Sequence, residues 1–291
     1  MIQPRKILPA PFVVGVSRSG TTLLRVMLDS HPDLAIPSET HFLNRIVRAT
    51  KPLSRETFIS LCVTTASWPN LNISPAELDA ELPRGPMFAV PDALRRIYEV
   101  LAHRDGKRRW GDKTPSYLAL MQQIQDLLPE ASFIHVIRDG RDVALSLRDL
   151  WWGPGDDSAA AARFWVEEIL HARAISGHVG RYLEVRYEDL VISPMVVLQR
   201  ICAHIEIPFD TAMLSYTANA ARRLEEVVQP FGPNGADQLP LERFRSIYTN
   251  TTKPLDPSKV SGWKATMTEA ERRRFEEIAG PMLASLGYET L

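Results

Sequence analysis

Cysteine is almost missing from this chain, with 2 among 291 residues, Cys62 and Cys202. Two thiols supply neither a disulfide framework nor the spaced ligand pairs of a zinc site, and such sparse use suits a reducing cytoplasm. An excess of either charge is also missing: 34 Lys and Arg stand against 35 Asp and Glu, a formal net charge of -1. That balance removes the electrostatic reason to expect a nucleic-acid or membrane-surface partner. No stretch approaches the roughly 20 apolar residues of a membrane-crossing helix. The apolar run Phe12 to Val16 leads straight into a glycine turn, so it reads as a strand and not as an export signal. There is no internal repeat and no low-complexity tract. What is left, 45% hydrophobic and 24% charged residues, is an ordinary folded protein, and its length fits one large domain over 1–291.

The apolar spacing outlines that domain. A strand over Phe12 to Val16 precedes a helix over Thr22 to Ser30, which Pro32 stops, and Leu34 to Pro37 is a second short strand. A mainly helical insert occupies about 40–105; within it Ser74, Pro75 and Glu77 form a helix start with cap, first-position proline and capping-box acid. A helix over Ser116 to Leu128 leads to the near-continuous apolar run Ser132 to Arg138, the pattern of a strand buried on both faces. Helices over Asp139 to Leu150 and Ala159 to His178, a strand over Tyr182 to Tyr187 and a helix over Pro194 to Ile205 follow. Strands separated by helices predict an α/β fold, a P-loop-type sheet of mostly parallel strands with helices on both faces. A long proline-rich loop over about 229–264 breaks the rhythm before a last helix, Glu269 to Leu286, and a loop of that length is usually functional.

The turn after the first strand, from Gly15 through Arg18, Ser19 and Gly20 to Thr21 and Thr22, has the glycine spacing and terminal hydroxyl of a phosphate-binding loop. Thr21 stands where such a loop carries lysine. A strand-loop-helix junction offers backbone N–H groups and the positive end of a helix dipole to an anion. Without the lysine, this one is built for an anion held by arginine and amides, with no obligatory metal. Ile137 to Asp142, containing Arg138, leaves the most buried strand, where a doubly wound sheet places its ligands. Gly111 to Pro115, containing Lys113, and Lys259 to Lys264 add cations and hydroxyls.

Taken together, GVSRSGTTLLRVMLDSHPDLAIPSET, WGDKTP, FIHVIRDGRDVALS and VRYEDLV resemble the sulfotransferases that use 3′-phosphoadenosine 5′-phosphosulfate, above all the tyrosylprotein branch. The likeness runs in order through most of Phe12 to Leu190 and returns at Ser258 to Lys264. It implies that Arg18, Ser19, Gly20, Thr21 and Thr22 hold the 5′-phosphosulfate. Arg138 and Ser146 would take the 3′-phosphate, and Tyr187 and Lys264 would complete the nucleotide site. The same likeness puts Glu39 at the catalytic base, Lys113 on the departing phosphate and Ser261 near the bridging oxygen. It implies transfer to a hydroxyl acceptor on a small molecule, sugar, lipid or peptide tyrosine, with adenosine 3′,5′-bisphosphate as product.

Departures from the branch fall on the acceptor side. Ser38 and His41 replace an acid before the base and an arginine two residues after it, and Leu150 replaces an arginine for which Arg148 is a nearby substitute. Trp151 and Trp152 are candidates for an acceptor wall. From the residues alone, His41 is a rival base, and Glu39 is a possible cap for a helix starting near Thr40. Two other functions stand beside the main one, an Mg-ATP-dependent P-loop kinase or hydrolase and a non-catalytic nucleotide-binding protein. The missing lysine speaks against the former and the presence of Glu39 beside Arg18 and Lys113 against the latter.

Overall fold

A computed structural model describes residues 7–84, 87–150, 153–228 and 240–291. Its central sheet has four parallel strands, β1 (Ala10–Val14), β4 (Asp112–Lys113), β5 (Ala131–Ile137) and β6 (Tyr182–Arg186), in the order β4-β1-β5-β6. Every residue of β1 and β5 is buried, as a strand covered on both faces requires. Their register places Phe12 beside Phe133 and Val13 beside Ile134. A separate parallel pair joins β2 (Leu34–Ala35) to β3 (Arg109–Trp110).

Because strand side chains alternate, the two faces collect different cores. Phe12, Val14 and Phe133 pack with Phe42 and Tyr98 of the helical insert and with Tyr117 and Ile124, which follow it. Those residues come from or beside α2 (Leu43–Ile46), α3 (Arg55–Val63), α4 (Pro75–Glu81), α5 (Val90–Arg104) and α6 (Met121–Leu127). On the opposite face Val13, Ile134 and Val136 meet Leu24, Met27 and Leu28 of α1 (Thr21–Asp29). At the end of β5, Ile137 packs with α7 (Gly140–Leu147) and α8 (Ser158–Ser176), while α9 (Tyr187–Ile192), α10 (Pro194–His204) and α11 (Thr217–Glu225) join the cluster of α1. Ser74 caps α4 by accepting from the Glu77 amide at 3.1 Å, as its sequence predicts. Cys62 and Cys202 are separate buried thiols in different clusters.

Two expectations change. The stretch after Pro115 begins as a 3₁₀ turn, Pro115–Leu120, and becomes α-helical only from Met121. The segment read as a long loop contains α12 (Leu241–Ser246), α13 (Trp263–Thr266) and two 3₁₀ turns in its described part. Phe244, fully buried against Val227, and Trp263 anchor these short helices, and tertiary burial has overridden the breaker composition. The last helix, α14 (Glu269–Ser285), starts with a complete capping box between Thr268 and Glu271. Trp151, Trp152 and 229–239 lie outside the described residues.

Candidate active site

The turn from β1 into α1 needs both of its glycines. At Gly15 a Cβ would sit 2.5 Å from the Val136 carbonyl of the neighbouring strand. At Gly20, φ is +92° and a Cβ would lie 2.2 Å from the Tyr187 ring. No side chain caps α1, so its first N–H groups stay available to an anion. Arg18, Gly20, Thr21 and Thr22 line a cavity of about 490 Å³ in front of this helix end. Ser19 is fully buried and absent from that lining; its amide is taken by the Val16 carbonyl at 3.1 Å.

Arg138 and Ser146 lie on the cavity wall at the exit of β5 and along α7. The Arg138 guanidinium stacks 4.6 Å from the centre of the Tyr187 ring and donates to the Arg18 carbonyl at 3.2 Å. Its buried Nε has no hydrogen-bond partner among the described residues. Arg18 reaches across the cavity, its Nε donating to Ser146 Oγ at 2.9 Å. The residues assigned to the two ends of the nucleotide therefore meet in one place. Arg141, four residues from Arg138's strand end, is structural: it pairs with Asp139 at 2.7 Å and Glu276 at 2.6 Å.

Glu39 stands where α1, β4 and the insert converge. Lys113, on β4 and 2% exposed, donates to Oε1 of Glu39 and, at 3.1 Å, to Thr22 Oγ1 of the loop. His41 Nε2 lies 3.0 Å from Oε2. Burial alone would raise the Glu39 pKa; the charge of Lys113 and hydrogen bonds from His41 and Lys113 outweigh it and hold the carboxyl at about 2. Burial lowers Lys113 in turn, with Glu39 opposing. Glu39 does not act as a helix cap, because the nearest helix starts at Leu43 without a side-chain cap.

The C-terminal assignments fare differently. Lys264 is exposed, pairs with Glu289 at 2.5 Å and lines none of the cavity. Ser261 is half-buried in a left-handed bend, φ +60°, and is likewise absent from the lining. Lys259, Gly262 and Thr266 face the cavity from that segment instead. Arg148, the nearby substitute for the arginine missing at Leu150, pairs with Glu271 at 2.6 Å and Asp156 at 3.5 Å and is absent from the cavity lining. Tyr248 was not foreseen: it lines the cavity, with Lys113 Nζ 6.0 Å from its ring centre, and burial raises its pKa. Its only signal in the sequence is an aromatic residue in a Thr- and Pro-rich stretch, which spacing does not interpret.

A cavity framed by a helix N-terminus, Arg18 and Arg138 suits a ligand with two separate anionic groups, and Glu39 supplies a carboxylate at its edge, with Lys113 behind it against Thr22. The chain is similar to known proteins. The family model described as "Sulfotransferase family" matches residues 9–211. A protein-tyrosine sulfotransferase of Drosophila melanogaster is 27% identical over 97% of this chain, which spans 52% of that relative's length. Nodulation protein NoeE of Sinorhizobium fredii is 27% identical over 98% of the chain and 68% of its own. Among solved structures, the sulfotransferase domain of the Synechococcus PCC 7002 olefin synthase aligns with a TM-score of 0.60 and 25% identity, over 99% of this chain and 98% of that domain. The sulfotransferase domain of the curacin biosynthetic pathway gives a TM-score of 0.62 at 20% identity. With the family model covering well over half of it, this chain belongs to the sulfotransferase family.

Proposed function

We propose that this 3′-phosphoadenosine 5′-phosphosulfate-dependent sulfotransferase transfers to a phenolic or alcoholic hydroxyl, with Glu39 as the base. The observation that carries the reading is the arrangement around Glu39: its carboxylate is paired with Lys113, which also touches the phosphate loop through Thr22. The cavity fits the donor's two ends. Gly20, Thr21, Thr22 and the open start of α1 suit the 5′ group, and the unpartnered Arg138 Nε beside Ser146 suits the 3′-phosphate. Tyr187 and Arg18 stand between them. When bound, the donor supplies a sulfuryl group on its 5′-phosphate, and the phosphate oxygen gains negative charge on transfer.

Lys113 and Arg18 stabilise that charge more in the transition state than before it, the condition for rate acceleration. As Lys113 turns toward the leaving oxygen, Glu39 loses the cation that keeps its basicity low. Its carboxylate then accepts the acceptor's hydroxyl proton, a contribution of about 10²- to 10⁴-fold. His41, Pro115 and Ser116 line the cavity on the side of Glu39, and we assign the acceptor's approach there. The reading extends to a phenol such as tyrosine because relatives named protein-tyrosine sulfotransferase match nearly the whole chain.

Calorimetry with adenosine 3′,5′-bisphosphate against ATP plus magnesium tests the donor. The bisphosphate binds more tightly if the reading holds; tighter binding of ATP overturns it. Glu39→Gln is expected to keep bisphosphate affinity and lose transfer by about 10²-fold or more, and an active variant would remove Glu39 from the role of base.

A further inference from the structure

We propose that His41 is a positioning residue for the base: its ring fixes Oε2 of Glu39, which assigns Oε1, the oxygen held by Lys113, to take the acceptor's proton. This rests on the reading of Glu39 as base. The tyrosylprotein branch that the sequence resembles has arginine at this position, so the histidine belongs to this chain.

Three observations lead here. First, the two carboxylate oxygens have different partners, Lys113 on Oε1 and His41 Nε2 on Oε2 at 3.0 Å. An ionised carboxylate only accepts, so Nε2 carries the hydrogen between them. Second, His41 has φ +53°, a left-handed conformation unfavourable for a non-glycine residue. The bend is a three-residue turn closed by the Phe42 amide on the Thr40 carbonyl at 2.7 Å. Third, both flanks of the bend are pinned. Thr40 Oγ1 donates to Asp112 Oδ2 at 2.6 Å and lies 2.8 Å from the Tyr117 hydroxyl, while its amide donates to Thr114 Oγ1 at 3.1 Å. Tyr98 donates to the same Asp112 oxygen at 2.9 Å. On the other flank Phe42 is fully buried, and the Leu43 amide donates to the Tyr117 hydroxyl at 3.1 Å.

The pinned turn folds residue 41 back onto residue 39, and strain of this kind persists only where surrounding contacts impose it. The consequence is a division of labour on one carboxylate. Lys113 is shared with the phosphate loop and follows the leaving group. His41 lines the cavity and stays with Oε2, so the carboxylate keeps its orientation when the lysine turns away. The acceptor O–H bond breaks and its proton forms a bond to Oε1; the freed electron pair bonds to sulfur as the bond from sulfur to the 5′-phosphate oxygen breaks, that pair staying on the phosphate. Arg18, Arg25 and Tyr248 are the other charged or titratable groups that Glu39 senses.

The test uses the full chain with His41→Phe, which keeps ring volume without a donor, and His41→Gln, which keeps a donor. With p-nitrophenol as acceptor, His41→Phe is expected to lower kcat about 10- to 100-fold, as a misplaced catalytic group does, with donor KM and bisphosphate affinity within about twofold. His41→Gln restores most of the loss. Adding His41→Phe to Glu39→Gln lowers kcat no further, as expected where the ring's effect on kcat runs through Glu39. A readout independent of turnover is the carboxyl carbon of Glu39 in a glutamate-labelled chain, whose NMR titration moves to higher pH in His41→Phe. Undiminished kcat in His41→Phe, a glutamine variant as slow as phenylalanine, a further loss in the Glu39→Gln background, or lost bisphosphate affinity would each overturn the proposal. Failure of the base itself shows separately, as transfer retained by Glu39→Gln alone.

Discussion

The cavity has two walls of different construction. The wall from Gly15 to Thr22 and from Arg138 to Ser146 grows out of β1 and β5, adjacent strands whose register fixes both turns side by side. The wall from Ile247 to Thr266 has no strand behind it. Apolar packing of Leu255, Val260 and buried Trp263 seats it, and isolated hydrogen bonds join it to the body: Tyr216 to the Lys253 carbonyl at 2.7 Å, Arg18 to the Ile247 carbonyl at 3.4 Å, and the Trp263 amide to Asp142 at 2.9 Å. A wall held by sheet register tolerates loss of a hydrogen bond but not of a backbone conformation. A wall of short helices seated by a few apolar side chains and isolated hydrogen bonds feels each lost bond, at about 1 kcal/mol apiece.

The largest way to break the comparison is Gly20→Val. The substitution forces a left-handed residue and drives its side chain into the Tyr187 ring, and a loss of about 3 kcal/mol or more is expected from strain and overpacking together. Urea unfolding and bisphosphate titration read it; near-normal values would mean that the first wall does not depend on its turn.

Next in size is an acid limb of stability. Asp29, at the end of α1, joins the first wall to α11 through Arg223 at 2.6 Å and Asn219 at 2.8 Å. Burial would raise its pKa, but the hydrogen bonds and charge of Arg223, with Lys107 and Arg25, hold it at about 2. The folded value lies below the unfolded one, so the stabilisation is complete above about pH 4 and is lost as pH falls toward about 2. That amounts to about 2 kcal/mol. Unfolding free energies measured from pH 7 downward should fall more steeply in the wild type than in Asp29→Asn, and equal slopes would contradict the assignment.

Smaller still is Tyr216→Phe, which frees the second wall at its Lys253 carbonyl. It should weaken bisphosphate binding by no more than about tenfold, the value of one neutral hydrogen bond. The smallest effect sharpens the comparison as a control: Lys264→Ala, whose side chain faces Glu289, should leave bisphosphate affinity within about twofold, as for an exposed ion pair. A tenfold loss would return Lys264 to the nucleotide site.

The same contrast explains which parts were legible in the sequence. The first wall consists of strand exits and a helix start, and each is a local pattern: a buried run, a glycine turn, an amphipathic stretch. Arg18, Gly20, Thr22 and Arg138 follow from those patterns and from the family likeness, and they do meet around one cavity. Glu39 and Lys113, 74 residues apart, were named by likeness alone, and their ion pair depends on the β1–β4 pairing that aligns Val13 with Lys113. Lys264 was drawn to the site by its motif, but the partner that holds it, Glu289, lies 25 residues on in a stretch without a motif. Tyr248 and the strained turn at His41 left no periodic trace, because both arise from long-range packing on short segments. Ser19 matched the loop pattern and is nevertheless buried away from the cavity lining, since consecutive residues of a tight turn point in different directions.

The seat of Arg141 bears on where this fold ends as a unit. Beneath the turn that carries Arg138, the Arg141 guanidinium lies between Asp139, Glu276 of α14 and the Trp263 ring, 3.7 Å from its centre. Glu188 accepts from the Asp139 amide at 3.0 Å and from the Tyr288 hydroxyl at 2.9 Å, while Glu276 accepts from the Leu291 amide at 2.7 Å. The final twenty residues are thus a foundation stone under an anion site whose recognisable motif lies 130 residues earlier. Cutting away the C-terminal helix or its tail would take Glu276 from Arg141 and Tyr288 from Glu188, and so loosen the turn that carries Arg138.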